Sequence, residues 1–147
     1  MDWSFVVEML IGIASTSAMI VAARTVGLDG DRATYATSLI AIALFYVVFA
    51  VEHGDTMVLI VNVAIAGVFV IGALVGYARS IALVGWVLVV HGLFDLTYHL
   101  TLPHLVPAPH WWAPLCLGVD LTLGIYLLAG RPTQGARVRA GMSFHGQ

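Results

Sequence analysis

Along most of this chain, apolar residues run in blocks about as long as a bilayer is thick, and polar residues gather in short breaks between them. A helix needs about 20 mainly apolar residues to cross roughly 30 Å of hydrocarbon. Five blocks approach or reach that length: 3–23, 35–51, 57–77, 81–102 and 112–129. The breaks carry turn chemistry. Gly27-Leu28-Asp29-Gly30-Asp31-Arg32 and Glu52-His53-Gly54-Asp55 are polar turns, and Ala78-Arg79-Ser80 is a tight link. Pro103 and the Pro107-Ala108-Pro109 run interrupt helix and form the longest loop. The pattern predicts an all-α fold, a bundle of five transmembrane helices over 1–130, followed at 131–147 by a glycine-rich flexible tail.

Composition supports lipid as the solvent. Of 147 residues, 61% are hydrophobic and 10% charged, against about 25% charged in a soluble domain. A net charge of −2 without any basic cluster points away from nucleic acid. The single cysteine, Cys116, excludes an internal disulfide and any multi-cysteine metal site. All basic residues are arginine, which suits a GC-rich bacterial source.

Arginine placement predicts the orientation. Arg24 and Arg32 flank the first loop, Arg79 lies in the third, and Arg131, Arg137 and Arg139 lie in the tail. Basic loops stay cytoplasmic, so a five-span chain with its N-terminus outside and its tail in the cytoplasm puts every arginine on one side. Four or six spans would spoil that separation. Trp3, Trp111 and Trp112 fall at the expected outer boundaries, where indole rings settle. The first block begins Met1-Asp2 and is too long for a signal peptide, so it reads as a permanent helix. The expected address is the bacterial inner (plasma) membrane, multi-pass.

Ionisable residues inside a span need a partner, a wet cavity or a function. Those expected within spans are Glu8, His91, Asp95, His99 and Asp120, joined by the neutral Asn62. Counting about 1.5 Å per residue places His91 and Asp120 near the bilayer centre. Glu8, Asn62, Asp95 and His99 then lie in the outer half, with Glu52 and His53 near the outer surface. No ionisable residue is expected to be buried in the inner half. Such one-sidedness predicts a pocket that opens outward.

The densest run is His91-Gly-Leu-Phe-Asp95-Leu-Thr-Tyr98-His99. Four-residue steps drift by about 40° each, so its three ionisable groups read as one stripe. His91 and His99 stand about 12 Å apart along the axis, too far to share an ion. A metal site would therefore join Asp95 with a histidine such as His99, and with donors from other helices such as His53 and Glu52. The expected catalytic set is Asp95, His91, His99 and Asp120, with Glu8, Tyr46, Asn62 and Tyr98 lining the pocket. Asp120 is also expected to pair with His91 across two helices, a contact that by itself serves packing. His104 and His110 read as solvated loop residues. Pro109-His110-Trp111-Trp112 has the makings of a lid.

Three functions follow. The first is an enzyme acting on a lipophilic substrate, through a divalent ion such as Zn²⁺ or through metal-free acid–base chemistry. For the latter, Phe45, Tyr46, Phe49, Phe94 and Tyr98 would wall in cationic intermediates. The second is a non-catalytic subunit or haem-carrying anchor, with His53 and His99 as axial ligands at similar depth. The third is a transporter or proton relay, which lacks polar groups on the cytoplasmic half apart from Ser15 and Ser17. Gly72 and Gly76 at four-residue spacing suit either packing within the chain or a homodimer seam.

The second half resembles a family of small bacterial integral membrane proteins. The resemblance is carried by His91-Gly92, Phe94-Asp95 and Tyr98-His99, then Pro107, Pro109, Trp111-Trp112, Pro114, Cys116, Gly118 and Asp120. It implies a compact helical membrane protein and brings no activity with it. The stripe is also similar to that of the membrane-embedded zinc hydrolases of the alkaline ceramidase and adiponectin receptor superfamily. Those have seven spans and a His-xxx-His pair where this chain has Asp95, so none of their residues is carried over.

Overall fold

The computed structural model describes residues 3–130. The expected tail at 131–147, with Arg131, Arg137 and Arg139, lies outside the described residues. Five α-helices follow in order: α1 Trp3–Val26, α2 Arg32–His53, α3 Thr56–Arg79, α4 Ile81–Thr101 and α5 Trp112–Leu128. Short 3-10 turns at Leu28–Gly30 and Pro103–Leu105 lie between α1 and α2 and between α4 and α5. Among the described residues there is no strand.

The turns work as the sequence implies. Asp31 caps α2 by accepting from the Ala33 amide at 2.9 Å. Asp55 caps α3 from Met57 at 2.7 Å and Val58 at 3.0 Å, and Ser80 caps α4 from Leu83 at 3.2 Å. Each cap satisfies donors that a helix start leaves open. These two amides hold the Asp55 carboxyl below its usual 3.8. Gly27 and Gly54 take the left-handed backbone (φ 83° and 78°) that ends α1 and α2.

Helices α1 to α4 are each long and apolar enough to cross a membrane. Their outward faces carry Val63, Val68, Ile71, Val90, Leu93 and Leu100, all exposed. An apolar surface this continuous needs a lipid partner. The chain is a membrane protein. Helix α5 has 17 residues, about 26 Å at 1.5 Å per residue, and it is the most enclosed helix because α1 and α4 flank it.

Lipid tails are as apolar as leucine, so packing rather than burial from water joins helices here. Close approach is made by glycines on different helices. A Cβ at Gly12 would collide with the Leu115 carbonyl of α5, and one at Gly118 with the Met9 carbonyl of α1. Gly85 and Gly124 face each other in the same way across α4 and α5. Gly72 and Gly76 receive Val87 and Val84 of α4. The seam they offer is therefore filled inside the chain, which is the packing alternative to a homodimer.

Two apolar layers divide the interior. Toward the end that bears Arg24, Arg32 and Arg79 lie Ile20, Tyr35, Leu39, Ala73, Val84, Leu88, Leu123 and Leu127. Toward the proline loop lie Tyr46, Tyr98, Trp112 and Cys116, with Phe49, Phe94, Leu105 and Val106 packed against them. Between the layers, one turn beyond Leu88 and one turn before Leu123, sit the buried ionisable groups.

Candidate functional site

His91 and Asp95 stand one turn apart on α4, and Asp120 faces them from α5. They are 2%, 1% and 0% exposed. His91 Nδ1 and Asp120 Oδ2 share a hydrogen bond at 2.8 Å, and Asp95 Oδ2 lies 3.7 Å from the same nitrogen. Gly92 makes the contact possible, since a Cβ there would stand 3.0 Å from Asp120 Cβ. Phe69 of α3 sets its ring edge-on to His91, with centroids 4.5 Å apart. The Tyr46 hydroxyl of α2 approaches Asp95 without completing a hydrogen bond.

Three oxygens in this enclosure have no hydrogen-bond partner: Asp95 Oδ2, Asp120 Oδ1 and Tyr46 Oη. Buried polar atoms are nearly always satisfied, so three unsatisfied oxygens on neighbouring residues of one cluster leave capacity for a further partner. Charge says the same. Two carboxylates in a low-dielectric interior call for two positive charges. Two protons supply them, or one divalent cation beside a neutral histidine.

The structure sorts the expected site residues. Among the described residues, His91, Asp95 and Asp120 form a group with ligand atoms within 4.8 Å of one another. His99, His53 and Glu52, expected as partners of Asp95, do not join it. His99 fails because two four-residue steps add up to about 80° of rotation. It leaves the stripe and turns into a groove between α1 and the start of α5, where Glu8 and His110 also lie. Glu52 and His53 are exposed at the end of α2. Asn62 and Tyr98 face inward, but they hold the loop: Asn62 Nδ2 donates to the Leu105 carbonyl at 3.0 Å, and Tyr98 Oη to the same oxygen at 2.8 Å. Of the four expected pocket residues, Tyr46 alone reaches the centre.

An outward-opening pocket is not what encloses the centre. None of three cavities on the bundle is lined by His91, Asp95 or Asp120. An aromatic layer covers it instead, with Phe94 stacked on Tyr98 at 5.3 Å and Tyr46 beside Tyr98 at 6.3 Å. Trp112 contributes to the lid, packing on Phe45 and Phe49 at 5.0 Å each. His110 and Trp111 stay exposed.

One network escapes the sequence reading. Asp29, in the first turn, is 9% exposed and accepts from Tyr35 Oη at 2.5 Å and Tyr126 Oη at 2.8 Å. Arg24 Nε donates to Tyr126 Oη at 3.0 Å. The arginine-bearing end therefore holds a buried acid, in the turn between α1 and α2 and not within a span. Asp29 reads as a turn residue, and only the pairing of α1, α2 and α5 brings both tyrosines to it.

Comparison of the chain with protein families, with curated proteins and with solved structures finds no match. The functional reading therefore rests on the geometry of the centre.

Proposed function

We propose that this is an integral protein of the bacterial plasma membrane whose His91–Asp95–Asp120 centre holds one divalent metal ion, such as zinc. The observation that carries this reading is the clustering of two buried carboxylates, each with a partnerless oxygen, around His91. Ligands at about 2.1 Å from an ion lie about 3.0–3.4 Å from each other. The separations of 2.8 and 3.7 Å from His91 Nδ1 bracket that range. When bound, such an ion would supply Lewis acidity to the site. The Tyr46 hydroxyl is the further polar group beside Asp95.

The test is metal content after purification without chelators. Wild type is expected to carry about one divalent ion per chain, and Asp95→Asn to lose it while keeping its helical content and the unfolding temperature of metal-stripped wild type. Equal and negligible metal in both, even after loading with zinc or manganese, would sink the reading.

The alternatives have less support. Haem ligation needs two facing histidines, whereas His53 is exposed and His99 lies in the groove. A proton or ion route would have to pass the aliphatic layer of Leu39, Val84, Leu88 and Leu123, all fully buried, which separates the centre from Asp29.

The proposed orientation, N-terminus outside, rests on the grouping of Arg24, Arg32 and Arg79 at one end. In intact cells, a cysteine replacing His104 should react with an impermeant maleimide and one replacing Leu28 should not. The opposite pattern would reverse the orientation.

A further inference from the structure

Beside the buried centre, and not connected to it, a groove of about 500 Å³ opens between α1, α4 and the start of α5. Phe5, Leu96, Leu100, Ala113 and Pro114 give it apolar walls, and Glu8, His99 and His110 bring polar atoms into it. Leu100 on its rim is 70% exposed, so the groove opens on the outer face of the bundle. Its size lies within the ~300–1,000 Å³ of small-molecule sites, which likewise combine apolar walls with a few convergent polar groups.

The polar atoms describe an occupant. His99 Nδ1 is buried without a hydrogen-bond partner, although a polar atom withdrawn from water ordinarily finds one. Among the described residues Glu8 forms no salt bridge, and it is half-buried. A hydroxyl answers both. It donates its one proton to the Glu8 carboxylate and accepts from the imidazole Nδ1–H. A carboxylate or phosphate head would meet Glu8 as a like charge, and a bare hydrocarbon would leave His99 unsatisfied.

We propose that the α1–α4–α5 groove binds a single-chain lipophilic alcohol, its hydroxyl between Glu8 and His99 and its chain along Phe5, Leu96 and Leu100. This site is independent of the metal reading. It stands or falls on lipid-facing residues that are not part of the centre.

The experiment uses the full chain in detergent micelles and a photoreactive hexadecanol bearing a diazirine on its chain. Saturable crosslinks are expected on peptides containing Phe5, Leu100 or Ala113, competed by unlabelled hexadecanol and not by hexadecane. Glu8→Gln and His99→Phe should each weaken competition by about tenfold, the equivalent of one hydrogen bond to a charged or buried partner. Circular dichroism and metal content are read on the same samples, so a misfolded variant is recognised and a failed metal centre does not obscure the result. Crosslinks spread evenly over the exposed face of α3 would overturn the proposal. So would palmitate or hexadecylamine competing better than the alcohol, or wild-type competition in both variants.

Discussion

Replacing Gly118 with alanine should loosen α5 from α1 and cost about 1–3 kcal/mol, the range for forcing extra atoms into a packed interior. The reason is backbone, not side chain. The added methyl would meet the Met9 carbonyl and the Ile13 amide, and neither can rotate away as a long side chain does. Gly12→Ala meets the Leu115 carbonyl and the Val119 amide from the opposite helix, so it should cost a similar amount. Both changes push the same two helices apart, and once they are apart the second methyl finds room. The double variant should therefore be less destabilised than the sum, with a coupling of about 0.5–3 kcal/mol. Gly67→Ala is the control. A Cβ there meets nothing within 4 Å, and alanine favours helix by about 1 kcal/mol over glycine, so stability should hold or rise. Reversible unfolding in mixed micelles measures all four. Strict additivity of Gly12→Ala and Gly118→Ala would mean that the two glycines do not share one contact.

That pair also shows what a sequence can and cannot announce. Gly72 and Gly76 attract notice because both lie on one helix at a spacing that puts them on one face. Gly12 and Gly118 form the tighter seam, yet they lie on different helices and no local pattern links them. The spans were legible because lipid imposes a length and a composition on each helix independently. The turns that hold Asp31, Asp55 and Ser80 were legible because turn chemistry is local, although their capping role was not read. The centre was legible in part. His91, Asp95 and Asp120 stand out as ionisable groups in apolar blocks, and the pairing of Asp120 with His91 follows from their equal depth. His99 was misplaced by helical drift, a small angle per turn that grows over two turns. Asn62 and Tyr98 were expected to line a pocket because polarity at a given depth does not reveal its partner, which here is a loop carbonyl. Asp29 was passed over because an aspartate between glycines reads as a turn. Its burial depends on Tyr35 and Tyr126, which are far apart in the chain.

Removing His91 should be the most damaging single change at the centre, and the damage should be repairable. His91→Leu leaves Asp120 Oδ2 without its 2.8 Å partner and Asp95 without the nearest compensating group. Breaking a buried charged pair from one side costs about 3–5 kcal/mol, because the remaining charge stays in low dielectric. Asp120→Leu should cost less, about 1 kcal/mol, since a neutral imidazole tolerates the interior and only one intramembrane hydrogen bond is lost. The double variant His91→Leu/Asp120→Leu removes both partners and fills the space with apolar atoms, so it should recover most of the loss. A network that serves packing alone predicts this ordering and nothing more. A metal centre adds a second signature, because a ligand that binds only the folded state stabilises it by about 2.7 kcal/mol at a hundredfold excess over its Kd. Wild type should then gain stability with added zinc or manganese, and the double variant, recovered or not, should gain none. Recovery in the double variant with no metal response in wild type would leave the centre a packing element and withdraw its proposed chemistry. A His91→Leu variant as stable as wild type would go further, and show that the buried pair does not hold α4 to α5 at all.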